Sequence, residues 1–206
     1  MPRSSMAKAT GPAQVRLVCG LGNPGNEYVH TRHNAGFACI DALAERAQVH
    51  YWKTDAGCLV ASARIGSHEV LLAKPQGYMN TSGGPLSKLM RAHGISPAEI
   101  LVIHDEVDLP AGEVRTKFGG GLNAHNGLRS IANKLGTRDF SRVLCGIGRP
   151  PGKMSVADWA LRQLKGTFLD DFELMVQDAA SVAEQCIISN AFIQSSSNHK
   201  KSARSR

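Results

Sequence analysis

Asp105 closes an apolar run at residues 100–104, and His33 stands at the start of a helical stretch with Asn34 beside it. Asn23 lies just past another apolar run, within Gly20-Leu21-Gly22-Asn23-Pro24-Gly25. Met79-Asn80 follow a third run, and His125-Asn126 open a further helix. These side chains could activate water. A neutral imidazole, with a pKa of about 6.5, can take a proton from water while a carboxylate holds its other nitrogen in the right tautomer. Asparagine amides can donate to a developing oxyanion without adding charge. No serine or cysteine nucleophile motif accompanies them, so water is the expected nucleophile and hydrolysis of an activated acyl bond the expected chemistry. The eight histidines show no His-x-x-x-His or His-Glu-x-x-His spacing, which argues against a metal hydrolase. Singly, each asparagine is explained as a turn or cap residue and each histidine as a packed one. Their common position after strands is what marks a site.

The elements that must position these groups follow from periodicity. Residues 15–19 read as a strand, and Phe37, Ile40, Leu43, Ala44 and Ala47 share one face of a helix beginning near Asn34. Residues 58–65 and 69–74 read as strands of a hairpin turning at Gly66-Ser67, and Pro75 stops the second. A loop then leads into a helix with Pro85 near its first turn, Leu86, Leu89 and Met90 inward and Gly94 at its end. Ser96-Pro97-Ala98-Glu99 is a capping box ahead of the strand at 100–104. Residues 113–118 can be extended, Gly119-Gly120-Gly121 opens a loop, and a helix from Asn126 carries Leu128, Ile131, Ala132 and Leu135. A strand at 143–147 follows. Thr167-Phe168-Leu169-Asp170 resembles a second capping box, before a long amphipathic helix through Phe172, Met175, Val176, Ala179, Val182, Ala183 and Cys186. The pattern predicts a single-domain α/β sandwich with a twisted, mixed central sheet flanked by helices and a long C-terminal amphipathic helix.

Composition narrows the class. The 206 residues, 42% of them hydrophobic, suit one domain. No run of eighteen apolar residues and no signal segment is present, so a cytoplasmic protein is expected. Five cysteines, odd in number and without a Cys-x-x-Cys pair, read as core residues. The net charge of +7 resides in the ends of the chain: Arg3, Lys8, Arg16, Lys200, Lys201, Arg204 and Arg206 account for it, and the body between is neutral. Within the body, residues 115–165 are strongly basic and residues 170–184 carry acids alone. Residues 1–14 read as a disordered basic lead-in, 15–193 as the domain and 194–206 as a flexible basic tail.

Six blocks carry a resemblance. They are Gly20–Gly25 with Tyr28; Thr31-Arg32-His33-Asn34-Ala35-Gly36; Pro75-Gln76 with Tyr78-Met79-Asn80 and Ser82-Gly83; His104-Asp105-Glu106-Val107-Asp108-Leu109-Pro110; His125-Asn126-Gly127-Leu128; and Gly146-Ile147-Gly148-Arg149-Pro150. In this order they resemble the bacterial-type peptidyl-tRNA hydrolase family over residues 15–190. The resemblance implies cleavage of the ester between peptide and tRNA ribose by a monomer without a cofactor, with peptidyl-tRNA as the partner and no membrane. It makes His33 the catalytic base and Asp105 the carboxylate that orients it. Asn23, Asn80 and Asn126 would position water and substrate, Met79 and Tyr28 would line the peptide channel, and Lys117, Arg115 and Arg142 would meet the tRNA.

The first block also spells Gly-x-Gly-x-x-Gly, the dinucleotide fingerprint. That reading needs a helix to start at the third glycine, whereas Pro24, Asn26 and Glu27-Tyr28 continue as loop to about Asn34. Two departures from the family pattern bear on the site. Asn123 and Ala124 stand where the family usually has glycines, and Leu144 stands where it often has an arginine that clamps the tRNA terminal phosphate together with a lysine resembling Lys117. A non-catalytic RNA-binding relative of the same fold is the alternative reading.

Overall fold

The computed structural model describes residues 11–190. Seven strands, β1 (Leu17–Gly20), β2 (Lys53–Asp55), β3 (Cys58–Ile65), β4 (His68–Pro75), β5 (Ile100–Glu106), β6 (Val114–Phe118) and β7 (Ser141–Gly146), form one sheet in the order β2-β3-β4-β1-β5-β7-β6. The central pairs β4/β1, β1/β5 and β5/β7 are parallel, while the β2/β3, β3/β4 and β6/β7 pairs are antiparallel. The sheet is therefore mixed, as the early hairpin implied. Helices α1 (Ala35–Arg46), α2 (Gly83–Ala92), α3 (Asn126–Leu135), α4 (Val156–Leu161) and α5 (Thr167–Ser189) complete the fold.

Side-chain alternation along the strands divides the core into two layers. Val18, Leu72, Leu101, Ile103, Val143 and Cys145 face α1 and α5, meeting Ile40, Leu43, Met175 and Ala179. Leu17, Cys19, Val60, Ile100 and Val102 face α2 and α3, meeting Leu86, Leu89, Leu128 and Ile131. All five cysteines are buried and free, the core role expected of them.

The connection out of β1 passes over one face through α1, and the connection from β4 to β5 passes over the other through α2. Strand ends on both sides of β1 thus open at a switch point, the place where open α/β sheets bind ligands. Gly20 and Gly36 explain part of the glycine pattern. A Cβ on Gly20 would lie 2.2 Å from the Gly36 carbonyl oxygen, and one on Gly36 would lie 2.3 Å from both Ile103 O and Leu21 N. Helix α1 therefore sits backbone to backbone on β1 and β5. It begins at Ala35, after 3₁₀ turns at Asn26–Tyr28 and Arg32–Asn34. The fingerprint glycines serve close packing and a turn, and only a single 3₁₀ turn, not an α-helix, follows Gly25.

Some local readings need correction. Strand β7 begins at Ser141, two residues before the expected start, and the edge strand β2 and helix α4 were not foreseen. The Ser96–Glu99 capping box is present. The Thr167 box is not: Thr167 is the first residue of α5, and Gly166, with φ +55°, caps it without a side-chain bond. Ala13 N–H donates to Ala98 O and Gln14 Nε2 to Ile187 O, so the chain is tied to the domain before residue 15. Of the lead-in expected at 1–14, residues 1–10 lie outside the described residues, as does the whole of the tail expected at 194–206. No described helix is long and apolar enough to cross a membrane.

Candidate active site

Three chain segments are joined around Asn23. The Asn34 side chain accepts from Asn23 N–H at 2.9 Å and donates to Asn23 O at 3.0 Å, clasping the turn after β1 to the start of α1. Asn23 Oδ1 accepts from Met79 N–H at 2.7 Å, which binds the turn after β4 to the same point. With its oxygen so committed, the Asn23 side chain has its Nδ2 donor left to offer. Asn80 is exposed beside Met79, and Asn126 is exposed at the first position of α3. Met79 is buried, with its sulfur packed against Gly127, and Tyr28 is half-buried in the turn before His33.

At the end of β5, Asp105 receives two imidazoles on one oxygen. His33 Nδ1 lies 2.9 Å from Oδ1 and His125 Nε2 lies 3.0 Å from the same atom. His125 also caps α3: its Nδ1 accepts from Gly127 N–H at 3.1 Å and Leu128 N–H at 3.4 Å. Those two donors require a lone pair on Nδ1, so the ring's proton is on Nε2 and is donated to Asp105. His33 in turn donates Nδ1–H to the carboxylate. Its Nε2 is left with a lone pair, as a general base requires.

Electrostatics agree with this assignment. Burial pushes the Asp105 carboxyl upward, but His33 and His125 together outweigh it and hold Asp105 far below the usual carboxylate range. Burial disfavours the charged form of His33, yet the Asp105 charge and hydrogen bond prevail, and its pKa is raised above the ordinary histidine value. His104, fully buried, is pushed down to about 3 by burial and by His125. It stays neutral, donates Nδ1–H to Asp105 O at 2.7 Å, and meets the His125 ring edge-on at 5.1 Å.

The segment carrying His33 is backed by α4. The Arg32 guanidinium stacks 3.5 Å over the Trp159 ring, and Trp159 Nε1 donates to Ile147 O and Gly148 O. Leu164 N–H donates to His30 O at 2.8 Å, completing the brace.

His33, Asp105 and His125 place their ligand atoms within 4.8 Å of one another, spacing that could suit a metal ion. The donor set does not fit one. A metal on His125 Nε2 needs the proton moved to Nδ1, where the Gly127 and Leu128 amides already point.

The basic residues divide. Lys117 and Arg115 are exposed on the edge strand β6, Arg115 in an ion pair with Glu113 at 2.9 Å. Arg142 lies beneath the surface, 1% exposed, with Nη1 donating to Gly121 O at 2.9 Å and Nη2 bonded to Gly119 O. It thus holds the glycine loop from below. Leu144 is buried opposite Arg115 across the β6/β7 pair. A cleft of about 900 Å³ between α1 and α5 is lined by Asn23, Pro24 and Asn34 as well as by the acids Asp41, Glu45, Asp170 and Glu173.

A model of the peptidyl-tRNA hydrolase family matches residues 17–205. The chain belongs to the peptidyl-tRNA hydrolase family. It is 47% identical to the peptidyl-tRNA hydrolase of Frankia alni over 171 residues, 83% of this chain and 87% of that one. It is also 47% identical to that of Nocardia farcinica over 180 residues, 85% of this chain and 90% of that one. The crystal structure of peptidyl-tRNA hydrolase from Acinetobacter baumannii superposes with a TM-score of 0.80 at 33% identity, covering 88% of this chain and 92% of that chain.

Membership agrees with the reading of the six sequence blocks. The structure brings Asn23, Met79, His33 and Asp105 to one rim, and joins to them His125, a candidate from its place at the start of a helix to which sequence reading assigned no role of its own. Its position as the cap of α3 was legible; its reach to a carboxylate twenty residues earlier was not.

Proposed function

We propose that this chain hydrolyses the ester joining peptide to tRNA in peptidyl-tRNA, releasing free tRNA and peptide, with water activated by His33. The observation that carries the reading is the Asp105 oxygen shared by two imidazoles. It commits His33 Nδ1–H to the carboxylate and presents the Nε2 lone pair to water. That water's oxygen bonds to the ester carbonyl carbon as its proton passes to His33 Nε2. Charge on the carbonyl oxygen is met by amide donors, of which Asn23 Nδ2 is the one held in place by three hydrogen bonds to its residue. Collapse breaks the bond to the ribose oxygen, which takes the proton from His33. Asp105 remains ionised throughout and stabilises the imidazolium.

The tRNA lies on the β6 and α3 side, where Lys117, Arg115 and Arg149 are exposed, rather than along the α1–α5 cleft, whose Asp41, Glu45, Asp170 and Glu173 would repel its phosphates. Asn80 and Asn126 position substrate, Tyr28 and Met79 border the peptide, and Arg142 acts on the tRNA side through the loop it holds. The enzyme works as a cytoplasmic monomer without a cofactor. Incubation with an N-blocked aminoacyl-tRNA tests the reading: ester cleavage supports it, and tight RNA binding without cleavage favours the non-catalytic relative.

A further inference from the structure

Two consecutive residues before α3 hold backbone conformations suited to glycine. Asn123 has φ +45° and Ala124 φ +60°. Asparagine tolerates this region, whereas alanine is strained there by roughly 1 kcal/mol. The strained pair is anchored on each side. Asn123 Nδ2 donates to Glu106 Oε2 at 3.0 Å, and His125 donates to Asp105 Oδ1 at 3.0 Å. Glu106 is itself 5% exposed, and its other oxygen accepts from Asp108 N–H at 3.1 Å. The loop is thereby stitched to adjacent residues of β5, with Ala124 held between the stitches. Glycine at position 123 would accept the φ value but could not reach Glu106.

We propose that Asn123 is a positioning residue for the hydrolysis: its tether to Glu106 sets the place of His125, and through it the orientation of Asp105 and His33. The inference rests on the hydrolytic reading above. Without the tether, the loop can relax around Ala124, and His125 loses the registry that lets one ring cap α3 and donate to Asp105 together. The carboxylate then leans more heavily on His33.

The test compares wild type, Asn123→Gly, Asn123→Asp and the double variant Asn123→Asp/Glu106→Gln on an N-blocked aminoacyl-tRNA, with thermal melting alongside. Asn123→Gly should melt somewhat lower than wild type, because the bond to the buried Glu106 carboxylate is lost at a position where asparagine already tolerates the backbone. Its kcat should fall about threefold to tenfold, with KM little changed. The acid limb of its pH–rate profile should move to higher pH, since His33 gains the share of the carboxylate that His125 gives up. Asn123→Asp sets two carboxylates face to face and should lose more. Adding Glu106→Gln lets the introduced glutamine donate to the introduced aspartate, so turnover should recover with the bond's direction reversed. Wild-type kcat and pH profile in Asn123→Gly, or no recovery in the double variant, would overturn the role of Asn123 while leaving the hydrolytic reading intact. A wild-type chain that cleaves nothing overturns both.

Discussion

The rings of His33 and His125 stand 5.1 Å apart, tilted by 39°, and both are bonded to the same oxygen of Asp105. His125 cannot turn away without uncapping α3, and His33 cannot present Nδ1 to water without leaving the carboxylate. The pair therefore fixes which nitrogen of His33 is free.

Activity should rise with pH through a His33 pKa that lies above the ordinary histidine value, because the base must be neutral to accept a proton. The stability contribution has the opposite sign. It is fully present below the unfolded pKa of about 6.5 and is lost as pH rises through the higher folded value. A pH–rate profile beside a pH series of melting curves should show turnover increasing over the range in which this contribution declines.

Replacing Asp105 by Asn removes the charge that raises the His33 pKa and leaves the burial that lowers it. The acid limb of residual activity should shift to lower pH, and turnover should fall roughly 10²–10⁴-fold as the tautomer is lost. An unmoved limb would show that Asp105 does not set the His33 pKa.

Lys117 and Arg142 should separate in tRNA binding. Lys117→Ala should flatten the log–log salt dependence by about one charge's worth, since its ammonium is exposed on β6. Arg142→Ala removes a buried guanidinium bonded to Gly119 O and Gly121 O. It should lower the melting temperature and loosen the loop, with a smaller effect on the slope. An unchanged slope in Lys117→Ala would remove it from the tRNA surface.

Gly36→Ala should cost about 3 kcal/mol or more in urea unfolding, because its Cβ would lie 2.3 Å from backbone atoms of both β5 and the turn after β1. Gly84→Ala in α2, where a Cβ meets nothing within 4 Å, is the control and should be neutral or slightly stabilising.

Much of this was legible from sequence because parallel strands buried on both faces read as apolar runs, and the polar residue that ends each run sits at the rim. Asn23 and Asp105 were found in that way. His125 was harder: its capping role is local, but its bond to Asp105 depends on β5 and α3 meeting at one edge. Arg142 shows a different limit. The basic segment 115–165 reads as one charged face, yet Arg142 is buried beneath the loop while Lys117, its register partner on the same face of the sheet, is exposed on the edge strand. β2 is only three residues long, too short for alternation to reveal. Asn123 and Ala124 stand where the family pattern usually has glycines, and both take the positive φ values that glycine favours. The Asn123 bond to Glu106 joins residues 17 apart in the chain, which no local pattern reveals.

The most direct test of the central claim is to measure ester cleavage and tRNA binding together for wild type and His33→Ala. Removal of the base should reduce turnover roughly 10²–10⁴-fold while binding stays nearly unchanged. Wild-type turnover in His33→Ala would contradict the assignment of His33 as the group that activates water.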